Sequence, residues 1–217
     1  MSLKSLLTEI QEELKKREKA KEKVQNIMRK ATRLSKQAIL LTHQKRIKES
    51  KDLLKEAKSL FKQLQRICKK YPDMFYSGMV NAAFQEYAEA NILTELIENE
   101  RFPSPLEIEV PIVDYVLGLA DVVGEFRRQA LDALRKGDVP YAEKCLEVME
   151  TIYVELMTME DGYILVPGLR RKCDVARRII ETTRGEVTVE ARRSSLEKAI
   201  KNLEKKLKEK GKSKIEM

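Results

Sequence analysis

The placement of helix breakers constrains this 217-residue chain most: its first proline is Pro72 and its first glycine is Gly78. Nothing in the first third interrupts a helix, so two long helices are predicted to fill it. In the first, Leu3, Leu6, Leu7, Ile10 and Leu14 form an apolar seam, which Val24, Ile27, Met28, Ala31, Ala38 and Leu41 resume after the stretch KKREKAKEK. That stretch reads either as a solvent-bridging segment or as a surface reserved for another subunit or for phosphate. The second helix, from about Lys48 to Lys70, places Leu54, Ala57, Leu60, Phe61, Leu64, Ile67 and Cys68 on one side. On its other side Lys48, Lys51, Lys55, Lys58, Lys62, Arg66 and Lys69 fall within about 40° of one line, which no acid of the helix interrupts. That line runs roughly 30 Å, long enough to follow several phosphates of a nucleic acid backbone. A solvated lysine face is the plainer alternative.

Tyr71-Pro72-Asp73 ends the second helix, and a third is predicted from Asp73 or Ser77 to about Glu100. Its core face reads Val80, Ala83, Phe84, Tyr87 and Ala90. Glu86 and Glu89 lie on a different face with Ala82, Leu93 and Leu96, so two carboxylates sit one turn apart inside an apolar band. Read alone, they are better taken as a pair of ordinary surface glutamates, salt-bridged to an arginine. A loop with Pro103, Pro105 and Pro111 follows, then VPIVDYVLGLADVVGEFRRQALDALR from Val110 to Arg135. Here Asp114, Asp121, Glu125 and Asp132 fall within about 20° of one line, opposite Tyr115, Leu119, Val122, Val123, Phe126, Ala130, Leu131 and Leu134. Gly118 and Gly124 flank the acidic stripe, so that a ligand or a second helix can come close to Asp121 and Glu125.

Further helices are predicted from about Pro140 to Met159, with Tyr141, Cys145, Val148, Met149, Ile152 and Leu156 as seam, and from Leu169, with Cys173, Ala176 and Ile180. A separate last helix runs from Val187 to Lys210, where Leu196, Ile200, Leu203 and Leu207 make a narrow stripe suited to one partner helix. No strand and no internal repeat is visible. The expected architecture is all-α: one domain over residues 1–217, a bundle of about seven long helices, with 211–217 a frayed and disordered tail.

Composition narrows the function classes. Charged residues make up 36% of the chain and its formal net charge is +8, which favours a polyanionic partner. Cys68, Cys145 and Cys173 are far apart, which suggests neither a zinc site nor a disulfide framework and suits a reducing cytoplasm. No apolar run is long enough for a membrane span and the N-terminus becomes charged too early for a secretory signal, so a soluble cytoplasmic protein is expected. His43 is the only histidine, which excludes a paired-histidine ribonuclease mechanism. As a lone residue on a basic helix it reads as a surface or interface group.

FQEYAEA, PIVDYVLGLADVVGEFRR and LRRKCDVARRIIETTRGEV together resemble the translin family, and its Trax branch (translin-associated factor X) more closely than translin itself. The resemblance covers roughly residues 20–190, and GLADVVGE is its most specific part. It implies an acidic quartet that binds divalent metal and cleaves RNA, carried here by Glu86, Glu89, Asp121 and Glu125, and an octameric shell with RNA reached from inside. The histidine- and arginine-rich stretch with which translin contacts nucleic acid is replaced by MFYSGMVNAAF, so those binding residues do not transfer. Lys51, Lys55, Lys58, Lys62, Arg66 and Lys69 remain the candidate RNA contacts.

The chemistry agrees with that implication. Four carboxylates converging beside apolar side chains repel one another unless they are protonated or neutralised by metal, and such a donor set suits Mg²⁺ or Mn²⁺. Asp114, on the same stripe, either supports the ligands or caps the helix start. The expected activity is therefore metal-dependent endoribonucleolytic cleavage within a homo-oligomer. The alternative is an oligomeric scaffold that binds RNA or single-stranded DNA and whose acids serve structure.

Overall fold

The computed structural model describes residues 2–159 and 161–213, with side chains described as far as residue 207. Among them there are eight α-helices, one 3₁₀ turn and no strand. Six helices are long: α1 (Leu3–His43), α2 (Ile47–Cys68), α3 (Gly78–Asn99), α5 (Ile112–Arg135), α6 (Val139–Met157) and α8 (Leu169–Ser213). The others are single turns, α4 (Pro105–Ile108) and α7 (Gly162–Leu165), and Pro72–Tyr76 forms the 3₁₀ turn ahead of α3. None of the described helices is long and apolar enough to cross a membrane. The helices gather into two compact units, residues 1–122 with 164–167, and residues 123–163 with 168–217; α5 contributes to both.

In the first unit α1, α2 and α3 pack together because each carries a continuous apolar face. From Val24 onward α1 buries Met28, Ala31, Leu34, Ala38 and Ile39, and α2 buries Leu54, Ala57, Leu60, Phe61 and Leu64. α3 is apolar over most of its circumference and buries Val80, Phe84, Tyr87, Ala88, Ile92 and Leu93. Phe61 of α2 stacks on Phe84 of α3 with ring centroids 4.2 Å apart and meets Tyr87 at 5.1 Å.

A hydroxyl cluster fixes the register of these three helices. Thr42 Oγ1 lies 2.9 Å from both Ser50 Oγ and Thr94 Oγ1, and all three residues are buried. Each hydroxyl also reaches a helix carbonyl: Thr42 and Ser50 that of Ala38, Thr94 that of Ala90. Thr42→Val preserves shape but leaves buried partners short of a bond, and is expected to lower stability by about 1–2 kcal/mol. Thermal melts check this. Replacing all three hydroxyls at once (Thr42→Val, Ser50→Ala, Thr94→Val) should cost less than the sum of the single changes, because no orphaned partner remains.

In the second unit α6 lies on α8 through Val139, Ala142, Cys145, Met149, Ile152 and Leu156 on one side and Leu169, Cys173, Ala176, Ile180 and Val187 on the other, all buried. Arg127 donates to Thr183 Oγ1 at 2.6 Å and pairs with Glu186 at 3.3 Å, while Arg184 pairs with Glu150 at 2.6 Å. Gly137, with φ of 75°, makes the turn from α5 to α6.

Two sequence expectations change here. The segments starting at Leu169 and Val187 are one helix, α8, which passes through Gly185, so there are six long helices among the described residues where about seven were expected. An interior glycine costs roughly 1 kcal/mol, and Thr183, Arg184, Glu186 and Val187 around it are all held by contacts. The helix assignment also continues through 211–213 of the expected tail; residues 214–217 lie outside those described.

Candidate functional site

α3 supplies Glu86 and Glu89, and the crossing of α5 over α3 sets what lies beside them. A Cβ built on Gly118 of α5 would stand 2.7 Å from the carbonyl oxygen of Gln85, 2.8 Å from the Ala88 Cβ and 3.0 Å from the Glu89 nitrogen. Only glycine permits that approach. One turn earlier on α5, Asp114 accepts a 3.5 Å hydrogen bond from Gln85 Nε2. Contacts thus advance in the same direction along both helices, from Gln85 and Asp114 to Glu89 and Gly118. Asp121 follows Gly118 by three residues, and Glu125 lies one further turn along α5.

The acids differ in their surroundings. Glu89 is 9% exposed and Asp114 3%, whereas Asp121 and Glu125 are half-buried. Glu86 is paired with Lys36 of α1 at 3.3 Å. The four quartet residues are oxygen donors of the kind that hold a hard divalent cation. Among the described residues, however, no three histidine, cysteine, aspartate or glutamate side chains are grouped so as to hold a metal ion. The donor chemistry fits the ion, and the side chains as placed do not enclose it.

Burial pushes the Asp114 carboxyl up from 3.8 to about 6, against hydrogen bonds from Gln85 and Asn81 that favour the ionised form. Between these values the folded protein retains a proton that the unfolded chain has released, so stability falls as pH rises from about 4 to about 6. Asp114→Asn keeps the shape and removes that loss. It is expected to raise stability at pH 7.5 by about 1–2 kcal/mol and to leave it unchanged near pH 4, as read from melts at the two pH values.

Part of the basic line of α2 is paired within its own unit. Lys51 pairs with Glu98 and, at 3.6 Å, with Glu95; Lys58 pairs with Glu109 at 2.9 Å and Lys55 contacts Asp52 at 3.5 Å. Lys62 adds to the positive field that holds the Glu109 carboxyl below the usual range, behind the Lys58 hydrogen bond. Arg66 and Lys69 are exposed. The helix's own sequence has no acid on this line, but α3 and the segment after α4 bring them.

Another row of cations was not singled out in the sequence. Arg29, Arg33 and Lys36 follow one another on α1 at helical spacing, exposed, and line a groove with Met28, Met79 and Ala82. Lys36 joins that groove to Glu86. The signal was available as an i, i+4, i+7 repeat, masked by the still denser lysines on both sides of it. His43 is half-buried in the last turn of α1.

The profile of the translin family matches residues 19–183. Solved structures similar to this chain include apo-NeC3PO, 29% identical with a TM-score of 0.77, and AfC3PO, 36% identical with a TM-score of 0.74. A structure of AfC3PO in complex with duplex RNA is likewise 36% identical, with a TM-score of 0.73. Each of the three alignments covers 85% of this chain and 96% of the other. An uncharacterised protein of Methanocaldococcus jannaschii is 33% identical over 130 residues, which are 59% of this chain and 58% of that relative. The all-helical fold described above is therefore a translin-like one.

Proposed function

The chain belongs to the translin family, and from that premise we propose that it binds RNA as a Trax-like homo-oligomer, an octameric shell, and cleaves RNA by metal-dependent hydrolysis. The observation that supports this reading is the close approach of α5 to α3 at Gly118, beside the backbone nitrogen of Glu89 and three residues before Asp121. Glu86, Glu89, Asp121 and Glu125 would hold Mg²⁺ or Mn²⁺. When bound, the ion supplies charge neutralisation at the scissile phosphate and acidifies water at neutral pH. Arg29, Arg33 and Lys36 hold the RNA backbone beside the acids, with Lys36 exchanging Glu86 for a phosphate oxygen. One of the four carboxylates serves as general base.

Mn²⁺ affinity is expected to rise when RNA contributes phosphate oxygens to the coordination of the ion. Duplex RNA, the ligand of the AfC3PO complex, is the first substrate to use. Cleavage should stop in excess EDTA, resume with Mn²⁺, and leave 5′-phosphate and 3′-hydroxyl ends. Undiminished cleavage in EDTA, or products ending in a cyclic 2′,3′-phosphate, would remove the metal-dependent mechanism. RNA binding with no cleavage under any metal condition would leave the scaffold reading in its place.

A further inference from the structure

The far end of α8 presents an exposed aliphatic stripe, which lies beyond the residues matched by the family profile. Val189, Leu196, Ile200, Leu203 and Leu207 are each between 48% and 67% exposed, although all are aliphatic. Their spacing is that of a heptad seam: Val189, Leu196 and Leu203 at d, Ile200 and Leu207 at a, with Arg193 in the remaining a position. The flanks are sorted by sign. Every e position is acidic (Glu190, Glu197, Glu204), and the g positions are Arg192, Ala199 and Lys206.

That sorting selects a partner and a direction. In a parallel pair each g side chain faces the e position of the next heptad on the other helix, so Arg192 meets the second copy's Glu197, twice per dimer, and Ala199 meets Glu204 without conflict. An antiparallel pair instead sets e against e, which brings Glu197 onto the second copy's Glu204, twice, at close range. β-Branched Ile200 at a with leucine at d favours two strands. Arg193 now folds back to Glu190 at 4.0 Å and Glu197 at 3.8 Å, exposed contacts that cost little to exchange.

The N-terminal stripe of α1 competes for the same surface, because Leu3, Leu7, Ile10 and Leu14 repeat the 4-3-4 spacing of Leu196, Ile200, Leu203 and Leu207. Its flanks do not match. Laid antiparallel on α8, Lys4 meets Glu204 but Glu18 meets Glu190; laid parallel, Lys4 meets Arg192. Its own unit also engages that end of α1, where Tyr71 donates to Glu13 and Arg17 pairs with Asp73. We propose that residues 189–207 of α8 form a parallel, in-register two-stranded coiled coil with the same segment of a second copy of this chain. The proposal stands apart from the nuclease reading and is tested without RNA or metal.

The experiment is site-directed disulfide trapping on the full chain under mild oxidation. The native Cys68, Cys145 and Cys173 are buried, so an introduced surface thiol reports alone. Ile200→Cys should form linked dimers at least about tenfold faster than Lys198→Cys, which lies on the outer face. Glu197→Arg should slow the Ile200→Cys reaction about tenfold, and adding Arg192→Glu should restore it. Equal rates for Ile200→Cys and Lys198→Cys would overturn the proposal, as would preferential linkage of Ile200→Cys to Leu203→Cys in a mixture, which marks an antiparallel pair. Preferential linkage of Ile200→Cys to Ile10→Cys would overturn it in favour of α1. The altered residues are solvent-exposed, and an unchanged melting temperature of the single-cysteine proteins verifies the fold.

Discussion

Glu89→Gln is expected to lower the rate of RNA cleavage by about a hundredfold or more, and Asp121→Asn by a similar factor, while RNA affinity is retained. Both substitutions keep the shape of the side chain and remove one negative charge. Glu89 is buried where α3 meets α5, so a neutral amide there is tolerated by the fold at least as well as a carboxylate. Less negative charge beside bound phosphate leaves affinity equal or higher, and loss of a ligand falls on the ion and on the catalytic step. The measurements are single-turnover cleavage of a labelled duplex and filter binding of the same RNA. Wild-type rates in both variants would show that the carboxylates serve structure, and the chain would then be a scaffold. Loss of binding together with cleavage would place Glu89 in the fold rather than in the chemistry.

Much of the fold was legible because helix breakers are scarce and apolar residues recur at helical spacing. The ends of α2, α3 and α6 were visible within a few residues, since prolines, glycines and a change of seam mark them. Gly185 misled: composition suggests a break there, and contacts from Arg127 and Glu150 to neighbouring residues of α8 keep the helix continuous. The hydroxyl cluster of Thr42, Ser50 and Thr94 was not legible, because serine and threonine at helix positions carry no periodic signal and their partners are up to 52 residues away.

At the candidate site, periodicity gave the helix faces on which the acids lie and the family resemblance implied the quartet, but neither gave the surroundings of the side chains. Asp114 shares a line with Asp121 and Glu125, yet it is buried against Gln85 and takes no part in a solvated stripe. The core face of α5 is also broader than the expected arc, since Val116, Leu117, Ala120 and Ala133 are buried while Leu131 is 37% exposed. The sequence of α2 alone does not show the acids that meet part of its lysine line, because Glu95, Glu98 and Glu109 reach Lys51 and Lys58 from elsewhere in the unit.

The two glycines of α5, alike in the sequence, should respond in opposite ways to a single methyl group. At Gly118 the added Cβ falls 2.7 Å from a backbone oxygen and 2.8 Å from another Cβ, so α5 must move off α3. Gly118→Ala gains about 1 kcal/mol of helix propensity and loses more than it gains, for a net destabilisation of about 2–4 kcal/mol. Nothing lies within 4 Å of the corresponding point at Gly124, and Gly124→Ala should stabilise by about 0.5–1 kcal/mol. Denaturant melts of both variants check the contrast. The consequence for function follows from the same displacement: the Asp121 segment recedes from Glu89, and an error of about 1 Å in placing a catalytic group costs on the order of a hundredfold in rate. Cleavage by Gly118→Ala, measured at a temperature where it remains folded, should therefore fall while that of Gly124→Ala holds. A Gly118→Ala protein as stable and as active as the parent would mean that α3 and α5 do not cross this closely in solution.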